Sequence, residues 1–151
     1  MRRLTLFLLL IVIALAPTYS RAKDESLDEM KMRFQNGRVD DRPQLGIRIA
    51  FAQLHNADIF YRDGKVEEAT AAIGDIVSYS EKATDAATQT KKRLKNVEID
   101  VRKIADKLRD IKRTLAFEDQ PPVEQAVRRL EELRTALLKE MFGDDKKKVK
   151  K

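Results

Sequence analysis

Cysteine and tryptophan are absent from this sequence of 151 residues, and histidine occurs once, at His55. Without cysteine the chain can form no disulfide, no thiolate metal site, no cysteine nucleophile and no lipoprotein anchor. A single histidine also excludes paired-histidine metal sites and HExxH chemistry. His55 lies beside Asn56 and Asp58 in a predicted helix, where we expect a structural or partly exposed side chain. These absences remove most of the familiar routes to catalysis.

The motifs of phosphate and calcium chemistry are missing as well. The sequence has no glycine-rich phosphate loop and no nucleophile elbow. Acidic residues cluster at 24–29 and at Asp40–Asp41, but they lack the spacing of oxygen ligands in a calcium loop. No pair of carboxylates is singled out for acid–base chemistry. We therefore expect no enzymatic activity, no cofactor and no metal.

The first 22 residues have the pattern of a secretory signal peptide. Arg2 and Arg3 precede a largely apolar run of 13 residues, Leu4 to Ala16, and Ser20 and Ala22 suit a cleavage site. The run is shorter than the ~20 residues that a membrane-spanning helix usually needs. We expect cleavage after Ala22 and a periplasmic or otherwise secreted protein. An uncleaved N-terminal membrane anchor is the alternative.

The formal charge of +6 is unevenly distributed along the chain. Removal of residues 1–22 takes away three arginines and leaves 28 basic against 25 acidic residues. Five of those basic residues lie in the last six positions, so residues 23–145 hold 23 basic and 25 acidic groups. We divide the mature chain into a short helix and linker (23–42), a helical domain (43–143) and a basic, disordered tail (144–151).

The basic tail contains five lysines that could contact an anionic surface. Near a charged membrane each such residue contributes about 1 kcal/mol, which gives weak, salt-sensitive attachment without sequence specificity. A solvated tail without a partner is the alternative. The lysines are Lys146, Lys147, Lys148, Lys150 and Lys151.

Proline and glycine divide the mature chain into four predicted helices. The first covers about residues 24–35 and precedes a linker, "GRVDDRP". The second begins near Pro43, which suits the first turn of a helix, and ends at about Arg62. Gly64 follows it as a left-handed terminator. The last helix covers about residues 121–142, after the break at "FEDQPP".

The third predicted helix is long. Between residues 65 and 117 there is no proline and one glycine, Gly74. Apolar residues recur there at alternating steps of three and four, which is the heptad pattern of a coiled-coil-like seam. The pattern predicts one helix over about 65–117, with a kink or a close helix approach in its small-residue part, 80–90. The chain is thus predicted to be all-α, with elongated antiparallel helical hairpins built on this long helix.

The last helix is predicted to fold back onto the C-terminal half of the long helix, because a short turn places consecutive helices antiparallel. Residues 91–113 hold ten basic and four acidic groups, whereas residues 119–145 hold seven acidic and four basic groups. The two flanks therefore complement each other. The apolar seam between the helices is predicted to consist of Leu94, Val97, Val101, Ile104, Leu108, Ile111, Leu115, Val123, Leu130, Leu133 and Leu137.

Self-association of the long helix as a parallel coiled coil is the alternative to this hairpin. Its flanking contacts would be attractive between Arg93 and Glu98 but repulsive between Lys107 and Lys112. We therefore expect a monomer, with a coiled-coil oligomer as the second possibility.

The segment Phe51–Ala83, about a quarter of the chain, resembles a single tetratricopeptide-type helical hairpin. The matching positions are two small residues, an aromatic, a turn glycine and a bulky aliphatic residue: Ala57, Ala69, Phe60, Gly64 and Ile73. The large residue expected near Gln53 and the closing proline near Glu81 are absent. No second copy follows about 34 residues later, and such repeats need about three stacked units. The resemblance implies peptide or protein binding; convergent packing of a helical hairpin is the alternative.

Two functions follow from these patterns. The first is a secreted, non-catalytic interaction or structural protein that binds another protein through its helical hairpins. The second is a binder of an anionic surface, a membrane or a cell-wall polymer, that uses the basic tail and the face of Lys91–Arg113. Nucleic acid is a poor candidate, because the aromatic residues that would stack on bases are not interleaved with the basic ones.

Overall fold

The structure is a computed structural model that describes residues 25–143, and it contains helices and no strand over that range. The predicted all-α fold is confirmed. The described residues form five α-helices: α1 (Leu27–Asn36), α2 (Arg42–Arg62), α3 (Val66–Thr90), α4 (Leu94–Thr114) and α5 (Gln120–Phe142). Short 3₁₀ segments, Val39–Asp41 and Phe117–Asp119, precede α2 and α5.

Two predicted segments, the signal peptide of residues 1–22 and the basic tail of residues 144–151, lie outside the described residues. None of the helices within residues 25–143 combines the length and the apolar character that a membrane crossing requires.

The short helix α1 is fixed at its start and along one face. Ser26 Oγ accepts a hydrogen bond from Glu29 N at 3.2 Å, and the Glu29 carboxylate accepts one from Ser26 N at 2.8 Å. This capping box satisfies two N–H groups that a helix start leaves free. Met30 and Phe34 are buried, and the rings of Phe34 and Tyr79 in α3 form a T-shaped pair with 5.3 Å between their centroids. α1 therefore packs across the first long hairpin.

The predicted single helix over residues 65–117 is wrong, because the chain leaves the helix at residues 91–93 and begins a new one at Leu94. As a result the described residues contain five helices where four were expected. Lys91 and Arg93 both have positive φ, 55° and 60°. A residue with a Cβ atom adopts this left-handed conformation at a cost of roughly 1–2 kcal/mol, so contacts elsewhere must hold the turn.

Ion pairs connect the turn between α3 and α4 to other parts of the chain. Lys91 pairs with Glu140 near the end of α5. Lys92 Nζ lies 2.6 Å from the Asp40 carboxylate in the linker between α1 and α2. The turn is thus tied to two distant segments at the same end of the molecule.

The four long helices form two antiparallel pairs. In the first pair, α2 and α3 are joined by a tight turn at Gly64, whose φ of 72° favours glycine. In the second pair, Arg134 Nε lies 2.7 Å from Glu98 near the start of α4, and Arg109 lies 2.6 Å from Glu131 further along. The order of these contacts shows that α4 and α5 run in opposite directions.

The two pairs pack together as a bundle with the ring order α2, α3, α5, α4. α3 runs parallel to α5, since Arg129 contacts Glu81 at 2.6 Å and the two C-terminal ends meet at Lys91 and Glu140. α2 likewise runs parallel to α4, because residues 43–48 lie beside residues 93–97 and residues 51–58 lie beside residues 107–114. Each long helix contributes fully buried aliphatic side chains to the shared core, among them Ile49, Ile76, Ile104 and Leu130.

The residues of the predicted seam belong to this core. Eight are buried, and Leu94, Ile111 and Leu115 are partly buried against them. The core also includes side chains of α1, α2 and α3, so the seam faces more than one neighbouring helix. The eight buried residues are Val97, Val101, Ile104, Leu108, Val123, Leu130, Leu133 and Leu137.

Candidate interaction surfaces

A groove of about 470 Å³ runs between α2 and α4 on the outside of the bundle. Phe51, Leu54 and Ile111 form its apolar floor; Phe51 and Ile111 are only partly buried. Polar and charged side chains stand around them. The rim consists of His55, Asp58, Lys107, Asp110 and Thr114. We call this feature the α2–α4 groove.

The rim of the α2–α4 groove carries one cation that is free among the described residues, Lys107. Asp58 on the same rim pairs with Arg62 at 2.8 Å, and Asp110 pairs with Arg113 at 3.1 Å. Because these carboxylates already have partners, Lys107 is the rim charge best able to attract an external carboxylate.

His55 is exposed at the edge of the α2–α4 groove, in line with the partly exposed position expected for it. Over residues 25–143 no group of three or more histidine, aspartate or glutamate side chains is arranged to hold a metal ion.

The basic face of Lys91–Arg113 is neutralised in large part by the chain itself. Six of its ten basic residues have a carboxylate within 4.0 Å: Lys91, Lys92, Lys103, Arg109, Lys112 and Arg113. Within the described part of the chain the other four, Arg93, Lys95, Arg102 and Lys107, have none. Lys95 and Arg102 are seven residues apart and share the outer face of α4, whereas Lys107 borders α2. The free charges therefore do not form one continuous surface.

A row of ion pairs connects α4 to α5. The side chain of Glu98 is only 11% exposed, and its carboxylate accepts a hydrogen bond from Arg134 Nε at 2.7 Å. The hydrogen bond to Glu98 raises the pKa of the Arg134 guanidinium. Arg134 also lies 3.5 Å from Glu131, which in turn pairs with Arg109. These pairs fix the register of the two helices, so we assign them a structural role.

A second concave site, of about 350 Å³, lies where α1, the linker and α2 meet. Four arginines line it, and we call it the arginine pocket: Arg33, Arg38, Arg42 and Arg48. Reasoning from the sequence missed this site, because the four side chains are spread over three elements and each one alone is an ordinary solvated residue. The available signal was the occurrence of four arginines within residues 33–48.

No family model, no curated protein and no solved structure matches this chain.

Proposed function

We propose that the protein binds another protein and that the α2–α4 groove receives an apolar side chain from that partner. The partly uncovered apolar floor of the groove, Phe51 and Ile111 beside Leu54, is the observation that supports this function. An apolar centre within a polar rim is the usual composition of a protein–protein contact. Lys107 is the free rim cation among the described residues, so the partner segment should carry a carboxylate next to its apolar anchor.

The resemblance of Phe51–Ala83 to a tetratricopeptide-type hairpin supports the same function, because that resemblance implies peptide or protein binding. Ala57 and Ala69 are fully buried where α2 and α3 meet, which small side chains allow. The resemblance covers one hairpin, whereas stacked repeats need about three units. α1 adds apolar burial to this hairpin through Met30 and Phe34.

The location that we propose is extracytoplasmic, either periplasmic or secreted. The order of positive, apolar and small residues over residues 1–22 supports this proposal. An uncleaved anchor over the same residues would place the helical bundle on the outer side of a membrane and leave the α2–α4 groove available to a partner.

Site-specific photo-crosslinking tests the proposed function. A photoreactive phenylalanine at Ile111 should give a discrete adduct with one polypeptide in cells that make the full chain. The same residue at Arg102, on the outer face of α4, is the matched control and should give none. Lys107→Glu should abolish the adduct, while Arg102→Glu should leave it unchanged. Equal adducts at both positions, or an adduct that Lys107→Glu does not affect, would contradict the proposal.

Attachment to an anionic surface is the second candidate function, supported chiefly by the five lysines of residues 146–151. Four scattered cations of the Lys91–Arg113 face, which have no carboxylate within 4.0 Å among residues 25–143, could add to it. Since six of the ten basic residues in that face are paired, the tail should dominate such binding. Sedimentation with anionic vesicles should fall sharply when residues 146–151 are deleted and when the salt concentration is raised. Salt-resistant binding by the shortened protein would refute an electrostatic attachment.

A further inference from the structure

The arginine pocket concentrates positive charge on a concave surface. Arg33 comes from the last turn of α1, Arg38 from the linker, and Arg42 and Arg48 from the first two turns of α2. The short linker folds α1 back against α2 and so brings side chains from three elements together. Asp41 is the carboxylate that lines the pocket with them. The positive end of the α2 dipole points to the same corner, which adds to the attraction for an anion.

Two of the four arginines already hold an oxyanion from the chain. The Glu25 carboxylate lies 3.0 Å from Arg33 and 3.4 Å from Arg48, one oxygen toward each guanidinium. Glu25 therefore shows that this pair of guanidinium groups is spaced to grip a two-oxygen anion. Arg33 and Arg48 are about half exposed, at 54% and 49%, so an anion arriving from solvent can reach them.

Within the described part of the chain the other two arginines, Arg38 and Arg42, have no carboxylate within 4.0 Å, although Arg38 lies near enough to Asp40 to lower the pKa of that carboxyl. Arg42 donates a long hydrogen bond of 3.4 Å to Gln35 O and lies 5.8 Å from the centre of the Phe34 ring. Its Nε is shielded from solvent and has no acceptor. The four arginines, Asp41 and Glu25 together carry a net charge of +2 while Glu25 is bound, and the remaining five side chains carry +3 once it leaves.

We propose that the arginine pocket binds a phosphate group and that this group displaces Glu25. A carboxylate ligand would have the same charge and the same two acceptor oxygens as Glu25, so it would gain little by displacing it. A phosphate dianion brings more charge and three strong acceptor oxygens, which guanidinium groups bind in a bidentate manner. The volume of about 350 Å³ leaves room for more than an isolated ion. The ligand is thus a phosphate-bearing molecule, either a soluble one or a lipid headgroup.

Titration of the full chain with inorganic phosphate at constant ionic strength tests the site, with backbone amide shifts of residues 33–48 as the readout. We expect saturable shifts with phosphate and much weaker ones with acetate. Arg48→Gln should weaken phosphate binding by about tenfold, the loss expected for one charge-assisted hydrogen-bonded pair. Arg102→Gln removes another exposed arginine, from α4, and should change the affinity by less than roughly twofold.

Glu25→Gln should change the affinity for phosphate in the opposite direction. Removal of the resident carboxylate should tighten phosphate binding by several fold, whereas Asp106→Asn, which removes a carboxylate from α4, should not. Thermal melting monitored by circular dichroism would show that these surface variants remain folded. The proposal is overturned if phosphate shifts do not saturate, if acetate binds as well as phosphate, or if Arg102→Gln matches Arg48→Gln.

Vesicles distinguish the two sources of the phosphate group. Phosphatidic acid in phosphatidylcholine vesicles should sediment the protein, and pure phosphatidylcholine should not, if the ligand is a lipid headgroup. If the ligand is a lipid headgroup, Arg48→Gln should also lower the sedimented fraction, although this variant keeps all the lysines of the tail. If sedimentation is insensitive to Arg48→Gln and the phosphate titration still depends on Arg48, the site takes a soluble phosphate compound.

Discussion

Gly46 lies in α2 at the point where α1 and α3 both approach that helix. An alanine there would place its Cβ 2.9 Å from the Tyr79 carbonyl oxygen, 3.0 Å from the Ala83 Cβ and 3.1 Å from a ring carbon of Phe34. The first two of these atoms are backbone or backbone-attached atoms of α3 that cannot rotate away. Gly46→Ala must therefore move α2 and α3 apart or strain the contact between them.

The expected effect on stability follows from two opposing contributions. Alanine favours the helical conformation over glycine by about 1 kcal/mol in a helix interior. Insertion of a carbon into a packed core costs about 1–3 kcal/mol, and the fixed atoms of α3 put this site in the upper part of that range. Gly46→Ala should therefore lower the free energy of unfolding by about 1–2 kcal/mol.

Gly74 is the matched control, because it lies in the interior of α3 and no atom would come within 4 Å of an added Cβ. Here the helix propensity acts alone, so Gly74→Ala should raise the free energy of unfolding by about 1 kcal/mol. Urea denaturation followed by circular dichroism measures both variants in the full chain. If Gly46→Ala stabilises the protein as much as Gly74→Ala does, the close approach of α1, α2 and α3 is wrong.

Two further predictions concern ion pairs. Arg134→Met leaves the largely buried Glu98 carboxylate without its partner, whereas Glu98→Gln leaves Arg134 next to Glu131 and solvent. We expect the first variant to lower the free energy of unfolding in urea denaturation clearly more than the second. Lys92 holds the pKa of the Asp40 carboxyl below its ordinary value of 3.8, chiefly through their hydrogen bond. The pair therefore contributes stability above that value and loses it as the pH falls through the lower folded-state pKa. An NMR titration of Asp40 should show a midpoint that rises toward 3.8 in Lys92→Met. Equal losses of stability in Arg134→Met and Glu98→Gln would contradict the first prediction, and an Asp40 midpoint that does not change in Lys92→Met would contradict the second.

The helix boundaries that depend on local chemistry were predictable from the sequence. α2 begins one residue before Pro43, and α5 begins one residue before Pro121, as proline in the first turn indicates. Gly64 terminates the first hairpin with a positive φ. At these positions one side chain, or the lack of one, restricts the backbone whatever the rest of the chain does.

The break between α3 and α4 was not predictable in the same way. Residues 91–93 are two lysines and an arginine, and none of them favours a positive φ. The helices on both sides of them pack into one core, and the two lysines contact Glu140 and Asp40, which are distant in the sequence. The α2–α4 groove and the arginine pocket were missed for a related reason, since each depends on which elements are neighbours in space.

The apolar repeat continues in phase across this break because α3 and α4 face one core. A heptad count reports the buried face of each helix, and it carries no information on whether the backbone between two helices reverses. At the break Thr90 Oγ1 donates a hydrogen bond to Ala86 O at 2.7 Å and accepts one from Lys92 N at 3.4 Å. α3 therefore ends at a threonine, a residue that could equally lie inside a continuing helix. The reversal has a consequence for function. A helix that ran on to residue 117 would have carried Lys107 and Ile111 away from α2, whereas the turn sets them beside Phe51 and so forms the α2–α4 groove.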